Sequence, residues 1–243
     1  MNNKNPIRLQ TLIRILIPVF FLLSGCIPGS RGRTLVIGDS NGAMPGNWVV
    51  QLQKLRPADS ICNLSISGNT IGFKNNGQDT LNTLHNIEGY LLMGEKELGG
   101  IDRIIFLIGT NDCKAVFDSL QTEVPRNMEK LISVTIEYFR QRKNIPEVLI
   151  VTPPPMAADS LLTEKYKGGE ERIRHFIPAF REVAEKHSLV FVNIHDSLAA
   201  EFMILNTDGV HLNEQGYKKV AEIIDESIRS HDNRSVFGIR RSQ

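Results

Sequence analysis

The chain has 243 residues, of which 41% are hydrophobic and 23% charged, and its formal net charge is +1. This balance is typical of a globular protein and excludes an extensively disordered chain. The length suits one domain with short accessory segments, and the nearly neutral charge gives no electrostatic basis for binding nucleic acid.

The amino-terminal segment differs from the rest of the chain. Basic but no acidic residues precede an apolar run at residues 15–23, which is shorter than the roughly 20 residues that a membrane-spanning helix needs. Residues 1–25 are therefore predicted to be a secretory signal. The tetrapeptide that ends at Cys26, Leu-Ser-Gly-Cys, resembles a bacterial lipobox. That resemblance implies cleavage before Cys26, lipidation of its sulfur and a lipid-anchored protein of the cell envelope, at the outer membrane or periplasmic face. An ordinary signal or an uncleaved anchor are the alternatives.

Short apolar runs alternate with helical patterns along the remaining chain. Strands are predicted at residues 34–38, 61–66, 101–108, 147–152 and 189–193. Helices are predicted at residues 48–55, 79–98, 124–143, 170–187 and 213–230. The alternation predicts an α/β fold, a three-layer α/β/α domain with a central, mainly parallel sheet of about five strands.

The chain is predicted to have four parts, of which the signal at residues 1–25 is the first. The domain covers residues 34–230, after a lipidated amino terminus and tether at residues 26–33 and before a tail at residues 231–243. Ligands of such sheets bind beyond the carboxyl ends of the strands. Side chains that follow a strand are therefore the first candidates for a functional site.

Polar motifs follow the first three strands, and a fourth precedes the last helix. They are Gly-Asp-Ser at residues 38–40, Ser-Gly-Asn at 67–69, Gly-Thr-Asn-Asp at 109–112 and Asp-Gly-Val-His at 208–211. Together they contain the groups needed for acyl transfer through a serine: a nucleophile, oxyanion donors, a base and a carboxylate that orients the base. No metal-ligand spacing, dinucleotide motif or P-loop motif accompanies them, so no cofactor and no metal are predicted.

Each candidate residue has a functional and a structural interpretation. Ser40 is the predicted nucleophile, with its own N–H as one oxyanion donor, but a serine here could simply cap a helix. Gly68 and Asn111 would add a backbone and a side-chain donor, although both types also occur in ordinary turns. His211 is the predicted base and Asp208 its partner, because their i, i+3 spacing can place both side chains on one face of a turn.

Two other histidines, His195 and His175, are rival candidate bases, and one cysteine is a rival candidate nucleophile. His195 follows the fifth strand beside Asp196, but adjacent side chains of an extended chain point apart, so Asp196 is not expected to orient it. Cys113 follows the Asn111 motif and is a second candidate nucleophile. Asp112 is assigned to loop structure and not to the chemistry.

The identity and order of the four motifs resemble the SGNH hydrolases, also called the GDSL lipase/esterase family, from residue 33 onwards. The resemblance implies a flavodoxin-like strand order, 2-1-3-4-5, and a metal-independent serine esterase. In that order the strands before Cys113 and at Cys62 would flank the first strand, two spacings of about 4.8 Å apart, which is too far for a disulfide. The expectation is therefore two unpaired, buried thiols.

The substrate is less well defined by the sequence. Connections at residues 71–77 and 156–169 should border the cleft, with Asn41, Phe73, Asn75 and Tyr166 as candidate substrate contacts. The expected substrates are short acyl esters, above all acetyl esters, of small molecules or carbohydrates. Lys114 and the Pro-Pro-Pro at residues 153–155 also resemble an arylesterase/acyltransferase branch, and a lysophospholipase is a further alternative. A catalytically silent, glycan-binding lipoprotein is the alternative outside enzymology; the sequence does not define the oligomeric state.

Overall fold

The computed structural model describes residues 32–142 and 145–236. The predicted signal, Cys26 and the tether up to residue 31 lie outside the described residues, as do residues 237–243 of the predicted tail. Within the described ranges, no helix is both long enough and apolar enough to cross a membrane.

The strands form one parallel sheet whose order confirms the predicted fold. They are β1 (Arg33–Gly38), β2 (Ser60–Asn63), β3 (Arg103–Leu107), β4 (Glu147–Val151) and β5 (Val190–Val192). Their order is β2-β1-β3-β4-β5, and every neighbouring pair is parallel. β2 is shorter than predicted, although Leu64 and Ile66 still donate backbone hydrogen bonds to β1.

Helices connect and cover the strands. They are α1 (Ser40–Ala43), α2 (Trp48–Leu55), α3 (Thr83–Leu98), α4 (Glu123–Arg140), α5 (Gly169–Lys186), α6 (Ile194–Ala199), α7 (Phe202–Leu205) and α8 (Glu214–Val236). The predicted helices correspond to α2, α3, α4, α5 and α8, whereas the three short helices were not predicted. Helix α3 begins later than predicted because a 3-10 turn, Asp79–Leu81, precedes it and the Asn82 side chain caps it at the His85 N–H.

The last helix extends beyond its predicted end at residue 230. Residues 231–236 continue α8 instead of leaving the domain. Asp232 pairs with Arg56 at 3.5 Å and with Arg103 of β3 at 2.9 Å. These ion pairs hold the end of α8 against the rest of the domain.

Two helical layers hold the sheet in a fixed position. Helices α2 and α8 pack against each other, and α3, α4 and α5 pack side by side. Helix α3 approaches β1 closely at Gly94, where a Cβ atom would lie 2.9 Å from Leu35 Cδ2. Because β1 and β3 are central and buried, the loops that leave their carboxyl ends begin from a rigid base.

The two cysteines within the described residues are unpaired, as predicted, although one of them is only half-buried. Cys62 on β2 is half-buried, whereas Cys113, beyond the end of β3, is buried. The strands on either side of β1 thus keep the two thiols apart.

Candidate active site

Ser40 lies at the point where β1 turns into α1. Asp39 caps this short helix, since its carboxylate accepts the Asn41 N–H at 3.0 Å. The strand and the cap together fix the Ser40 backbone, while its side chain retains slight exposure at 8%. Ser40 is therefore held at the carboxyl edge of the sheet, where a ligand can reach it.

The structure brings His211 and Asp208 to Ser40. His211 Nε2 lies 2.9 Å from Ser40 Oγ, and Nδ1 lies 2.7 Å from Asp208 Oδ2. The other oxygen of Asp208 accepts the backbone N–H groups of Val210 at 3.0 Å and of His211 at 2.8 Å. With the Nδ1 proton directed at the carboxylate, Nε2 can accept a proton from the serine.

Hydrogen bonds keep Asp208 ionised. Burial alone would raise the pKa of its carboxyl, but the backbone and ring donors of His211 and the Val210 N–H outweigh burial and lower the pKa. The turn formed by residues 208–211 thus provides both the orienting carboxylate and the donors that stabilise its charge.

The expected substrate contact of Asn41 needs correction. Its side chain is fully buried, and its Oδ1 accepts the Leu212 N–H at 3.2 Å. Asn41 therefore ties the histidine segment to the turn that carries Ser40. It lies beneath the candidate site and not in the path of a substrate.

Gly68 and Asn111 lie close to each other through Asn69. Gly68 has a φ of +92°, a left-handed conformation that glycine adopts without a Cβ penalty. Asn111 Nδ2 donates to the neighbouring Asn69 carbonyl at 2.9 Å, and its Oδ1 accepts from the Tyr166 hydroxyl at 3.2 Å. Because a side-chain amide has two N–H groups, Asn111 keeps a second donor after bonding Asn69.

The remaining three predicted substrate contacts are also more buried than expected. Phe73 stacks on Phe117 with ring centroids 4.7 Å apart. Asn75 is 1% exposed and donates to the Gly68 carbonyl at 2.6 Å, while Tyr166 is 5% exposed and donates to Asn111. These side chains are already engaged within the protein, so they support the candidate site more than they line its surface.

The connection at residues 156–169 also packs on the histidine turn. The Ala157 N–H donates to the Gly209 carbonyl at 2.9 Å. A Cβ at Gly209, where φ is +86°, would lie 3.0 Å from the Ala157 Cβ and 3.0 Å from Leu162 Cδ2. One connection therefore contacts both the 208–211 turn and, through Tyr166, the Asn111 side chain.

Asp112 and Cys113 are part of the floor of the site. Both carboxylate oxygens of Asp112 accept the Ile71 N–H, at 3.0 and 2.9 Å, and burial raises its pKa to about 7. These contacts agree with its assignment to loop structure. The Cys113 thiol donates to the Thr110 carbonyl at 2.8 Å, and burial raises its pKa well above the ordinary value. Cys113 is thus a protonated, inaccessible thiol and a poor candidate nucleophile.

The expectation for His195 and Asp196 is wrong. His195 Nδ1 lies 2.9 Å from Asp196 Oδ1, because residues 194–199 form helix α6 and are not extended. Its Nε2 lies 3.1 Å from Glu170, which also accepts the Met156 N–H at 2.9 Å. Both ring nitrogens of His195 are occupied by carboxylates, so the ring is a buried brace for the 156–169 connection.

Three residues that support the candidate site were given no role in it by the sequence. Asn69 links Gly68 to Asn111, Glu170 holds His195, and Lys114 Nζ contacts Asn75 Oδ1 at 3.2 Å. Asn69 directly follows Gly68, a predicted oxyanion donor, and this position in the sequence could have identified Asn69 as part of the site. Residues 75 and 114 are far apart in the chain, and no local pattern connects them. Among the described residues, no cluster of three or more His, Cys, Asp or Glu could hold a metal ion.

Comparison with known proteins agrees with the fold and the motifs. The chain matches the GDSL-like Lipase/Acylhydrolase family over residues 32–219. It is 28% identical over 142 residues to an acetylxylan esterase of Xylanibacter ruminicola, an alignment that covers 53% of this chain and 28% of the relative. The chain thus spans less than a third of the length of that curated relative.

Solved structures share the fold at low sequence identity. A carbohydrate acetylesterase from Sinorhizobium meliloti is similar with a TM-score of 0.66 and 21% identity, over 82% of this chain and 99% of that one. The aryl esterase of M. smegmatis is similar with a TM-score of 0.67 and 20% identity, again over 82% and 99%. Each similarity covers nearly the whole length of the solved chain.

The environment of His195 predicts a pH-dependent contribution to stability. Burial of the ring would lower its pKa, but bonds to Glu170 and Asp196 raise it above the ordinary 6.5, and the pKa of Glu170 falls to about 2. A raised histidine pKa stabilises the fold below 6.5, and this stabilisation is lost as the pH rises through the folded-state pKa. His195→Gln should therefore lower the melting temperature more at pH 5.5 than at pH 9.

The control for this experiment is His175→Gln, an exposed position on the same helix as Glu170. Its melting temperature should remain close to that of the wild type at both pH values. A His195→Gln penalty that is equal at both pH values, or larger at pH 9, would contradict the charged pair.

Proposed function

The chain belongs to the GDSL-like lipase/acylhydrolase family of carboxylic ester hydrolases, and we propose that it is a serine esterase that hydrolyses short acyl esters through Ser40. One observation supports this proposal above all. Ser40 Oγ, His211 and Asp208 form a continuous relay with distances of 2.9 and 2.7 Å. A buried hydroxyl bonded to an oriented imidazole is the arrangement that activates a serine nucleophile.

In the proposed mechanism, His211 Nε2 removes the hydroxyl proton as Ser40 Oγ attacks the ester carbonyl. The N–H groups of Ser40 and Gly68 and the Asn111 amide stabilise the oxyanion. His211 then donates its proton to the departing alcohol, which leaves an acyl group on Ser40. Water attacks the acyl-enzyme as His211 removes its proton, and His211 then returns that proton to Ser40 Oγ as the carboxylic acid is released.

The proposed substrates are acetyl esters of small molecules or carbohydrates. The curated relative is named an acetylxylan esterase, and a solved structure with this fold is named a carbohydrate acetylesterase. The burial of Phe73, Asn75 and Tyr166 supports the same choice. Because Phe73 and Tyr166 are packed within the protein, these two aromatic side chains are not free to contact a long acyl chain.

Replacement of the relay residues tests the proposed mechanism. Ser40→Ala should reduce kcat for p-nitrophenyl acetate by on the order of 10⁶, as loss of a nucleophile does in other serine hydrolases. His211→Ala should also lose most activity, and Asp208→Asn should fold but be impaired because the ring loses its orienting carboxylate. A fluorophosphonate should label Ser40 only when His211 is present.

His195→Gln is the matched control, because it changes a buried histidine that also contacts carboxylates but does not contact Ser40. It should keep most of the hydrolytic activity. If Ser40→Ala retained a tenth of the wild-type rate, Ser40 would not be the nucleophile. If His195→Gln lost more activity than His211→Ala, the proposed base would be wrong.

The substrate class is tested with a series of esters. We expect kcat/KM to fall from p-nitrophenyl acetate to the butyrate and octanoate, and we expect acetate release from acetylated xylan. Release from phenyl acetate without release from xylan would favour an arylesterase instead. Faster turnover of octanoate or lysophospholipid esters than of acetyl esters would contradict a short-acyl preference.

We also propose that the protein is exported and anchored through a lipid on Cys26, on the basis of its lipobox-like motif and basic, apolar leader. Expressed in a bacterium, the full chain should incorporate labelled palmitate and sediment with membranes. Cys26→Ser should lose the label and the membrane association, whereas Cys62→Ser should keep both. Equal labelling of wild type and Cys26→Ser would exclude lipidation at this residue.

A further inference from the structure

Gly68 and Asn111 belong to a closed ring of side-chain and backbone contacts. Proceeding around it, Asn75 donates to the Gly68 carbonyl, Asn111 donates to the adjacent Asn69 carbonyl, and the Tyr166 hydroxyl donates to Asn111. Lys114 closes the ring between Asn75 and Tyr166. We use the name oxyanion ring for these six residues: Gly68, Asn69, Asn75, Asn111, Lys114 and Tyr166.

The ammonium of Lys114 determines the orientation of the Asn75 amide. Lys114 Nζ lies 3.2 Å from Asn75 Oδ1, and Asn75 Nδ2 lies 2.6 Å from the Gly68 carbonyl oxygen. An ammonium can donate but cannot accept a hydrogen bond. Its presence therefore keeps Oδ1 on the lysine side and the NH₂ group on the Gly68 side.

The same ammonium supports the second donor through Tyr166. Lys114 Nζ lies 5.6 Å from the centroid of the Tyr166 ring, within the range of a cation–π interaction. The Tyr166 hydroxyl donates to Asn111 Oδ1 at 3.2 Å, and burial raises its pKa, so it stays protonated. With Oδ1 held by Tyr166, the Asn111 NH₂ group must face Asn69 and the space beside it.

Lys114 is buried, which is unusual for a lysine side chain. Its side chain is 9% exposed, and the loss of hydration lowers its pKa, as does the nearby charge of Lys165. Lysine is among the residues that proteins rarely bury completely. The hydrogen bond to Asn75 and the contact with the Tyr166 ring compensate in part for the lost hydration. These are the two groups that contact Gly68 and Asn111.

We infer that Lys114 is a positioning residue of the oxyanion site: it fixes Asn75 and Tyr166, and through them the Gly68 and Asn111 donors. This inference rests on the proposed esterase function. Preorganised donors matter in the transition state, where the negative charge develops, and matter little for the neutral ester. Loss of Lys114 should therefore act on kcat and leave KM nearly unchanged.

The principal test is Lys114→Met, which keeps an unbranched side chain of similar length but cannot donate a hydrogen bond. We expect kcat for p-nitrophenyl acetate to fall about 10- to 100-fold, less than the 10²–10³ typical of removing a donor outright. The affinity for phenylboronic acid should fall in parallel with kcat/KM, because its tetrahedral adduct on Ser40 resembles the transition state. Lys114→Arg should recover part of both, since arginine also donates and stacks on aromatic rings.

The matched control is Lys167→Met. Lys167 follows Tyr166 in the chain, but it is exposed and its Nζ pairs with Glu164 at 2.5 Å. This control removes a neighbouring positive charge of the same type, so an effect of Lys114→Met alone cannot be attributed to general electrostatics. Its kcat and its boronate affinity should remain close to those of the wild type.

The outcomes separate this inference from the proposed function. If the wild type hydrolyses esters and Lys114→Met retains its kcat and boronate affinity, the inference is overturned and the proposed function stands. A change in KM alone would also overturn it, because that result indicates a substrate contact. Absence of both hydrolysis and boronate binding in the wild type would overturn both proposals.

A second variant keeps the test decisive if Lys114→Met does not fold. Asn75→Ala removes the group through which Lys114 acts on Gly68 and leaves the lysine in place. It should lower kcat and boronate affinity with little change in KM. An Asn75→Ala protein with wild-type kcat would contradict the inference.

Discussion

Two neighbouring hydrogen bonds join the first and last parts of the domain, and the candidate site depends on both. Ser40 meets the His211 ring, and Asn41, the next residue, accepts the backbone N–H of Leu212, the residue after the histidine. A single bond would allow the histidine turn to rotate about it. Two bonds from consecutive residues at each end fix both the distance and the direction of the turn, which is what proton transfer requires.

Three carboxylates in or near the candidate site, those of Asp39, Asp112 and Asp208, differ in burial and in pKa, and their roles differ accordingly. Asp39 and Asp112 are fully buried, and burial raises the pKa of each. The side chain of Asp208 is 55% exposed, and donated hydrogen bonds lower its pKa. The two buried carboxylates accept backbone N–H groups and so fix loops. Only Asp208 combines a dependable negative charge with contact to the His211 ring.

The connections at residues 71–77 and 156–169 act mainly as supports. Asn75 in the first holds the Gly68 carbonyl, Tyr166 in the second holds the Asn111 side chain, and Ala157 holds the turn at Gly209. His195, between Asp196 and Glu170, braces the second connection where it begins, at Met156. The same segments that border the site therefore also set its internal geometry.

Local patterns in the sequence predicted the fold class, and together with the family resemblance they named the residues of the candidate site. Apolar runs and helical stripes predicted the parallel sheet, and the motif order together with its family resemblance led to Ser40, Gly68, Asn111, Asp208 and His211. Strand direction alone brings the first three motifs to one edge, and the i, i+3 spacing pairs Asp208 with His211. Both the strand direction and the i, i+3 pairing follow from local backbone geometry, which the spacing of residues in the sequence predicts.

The tertiary structure decided which polar side chains are free to meet a ligand. Asn41, Phe73, Asn75 and Tyr166 were expected at the surface of the cleft but are engaged by partners distant in the chain. The short helix α6 reversed the expectation for His195 and Asp196, because a six-residue element leaves too little periodicity to predict. The role inferred for Lys114 depends on contacts with residues 75 and 166. Such contacts arise only when the sheet has brought separate loops together, so no local sequence pattern contains them.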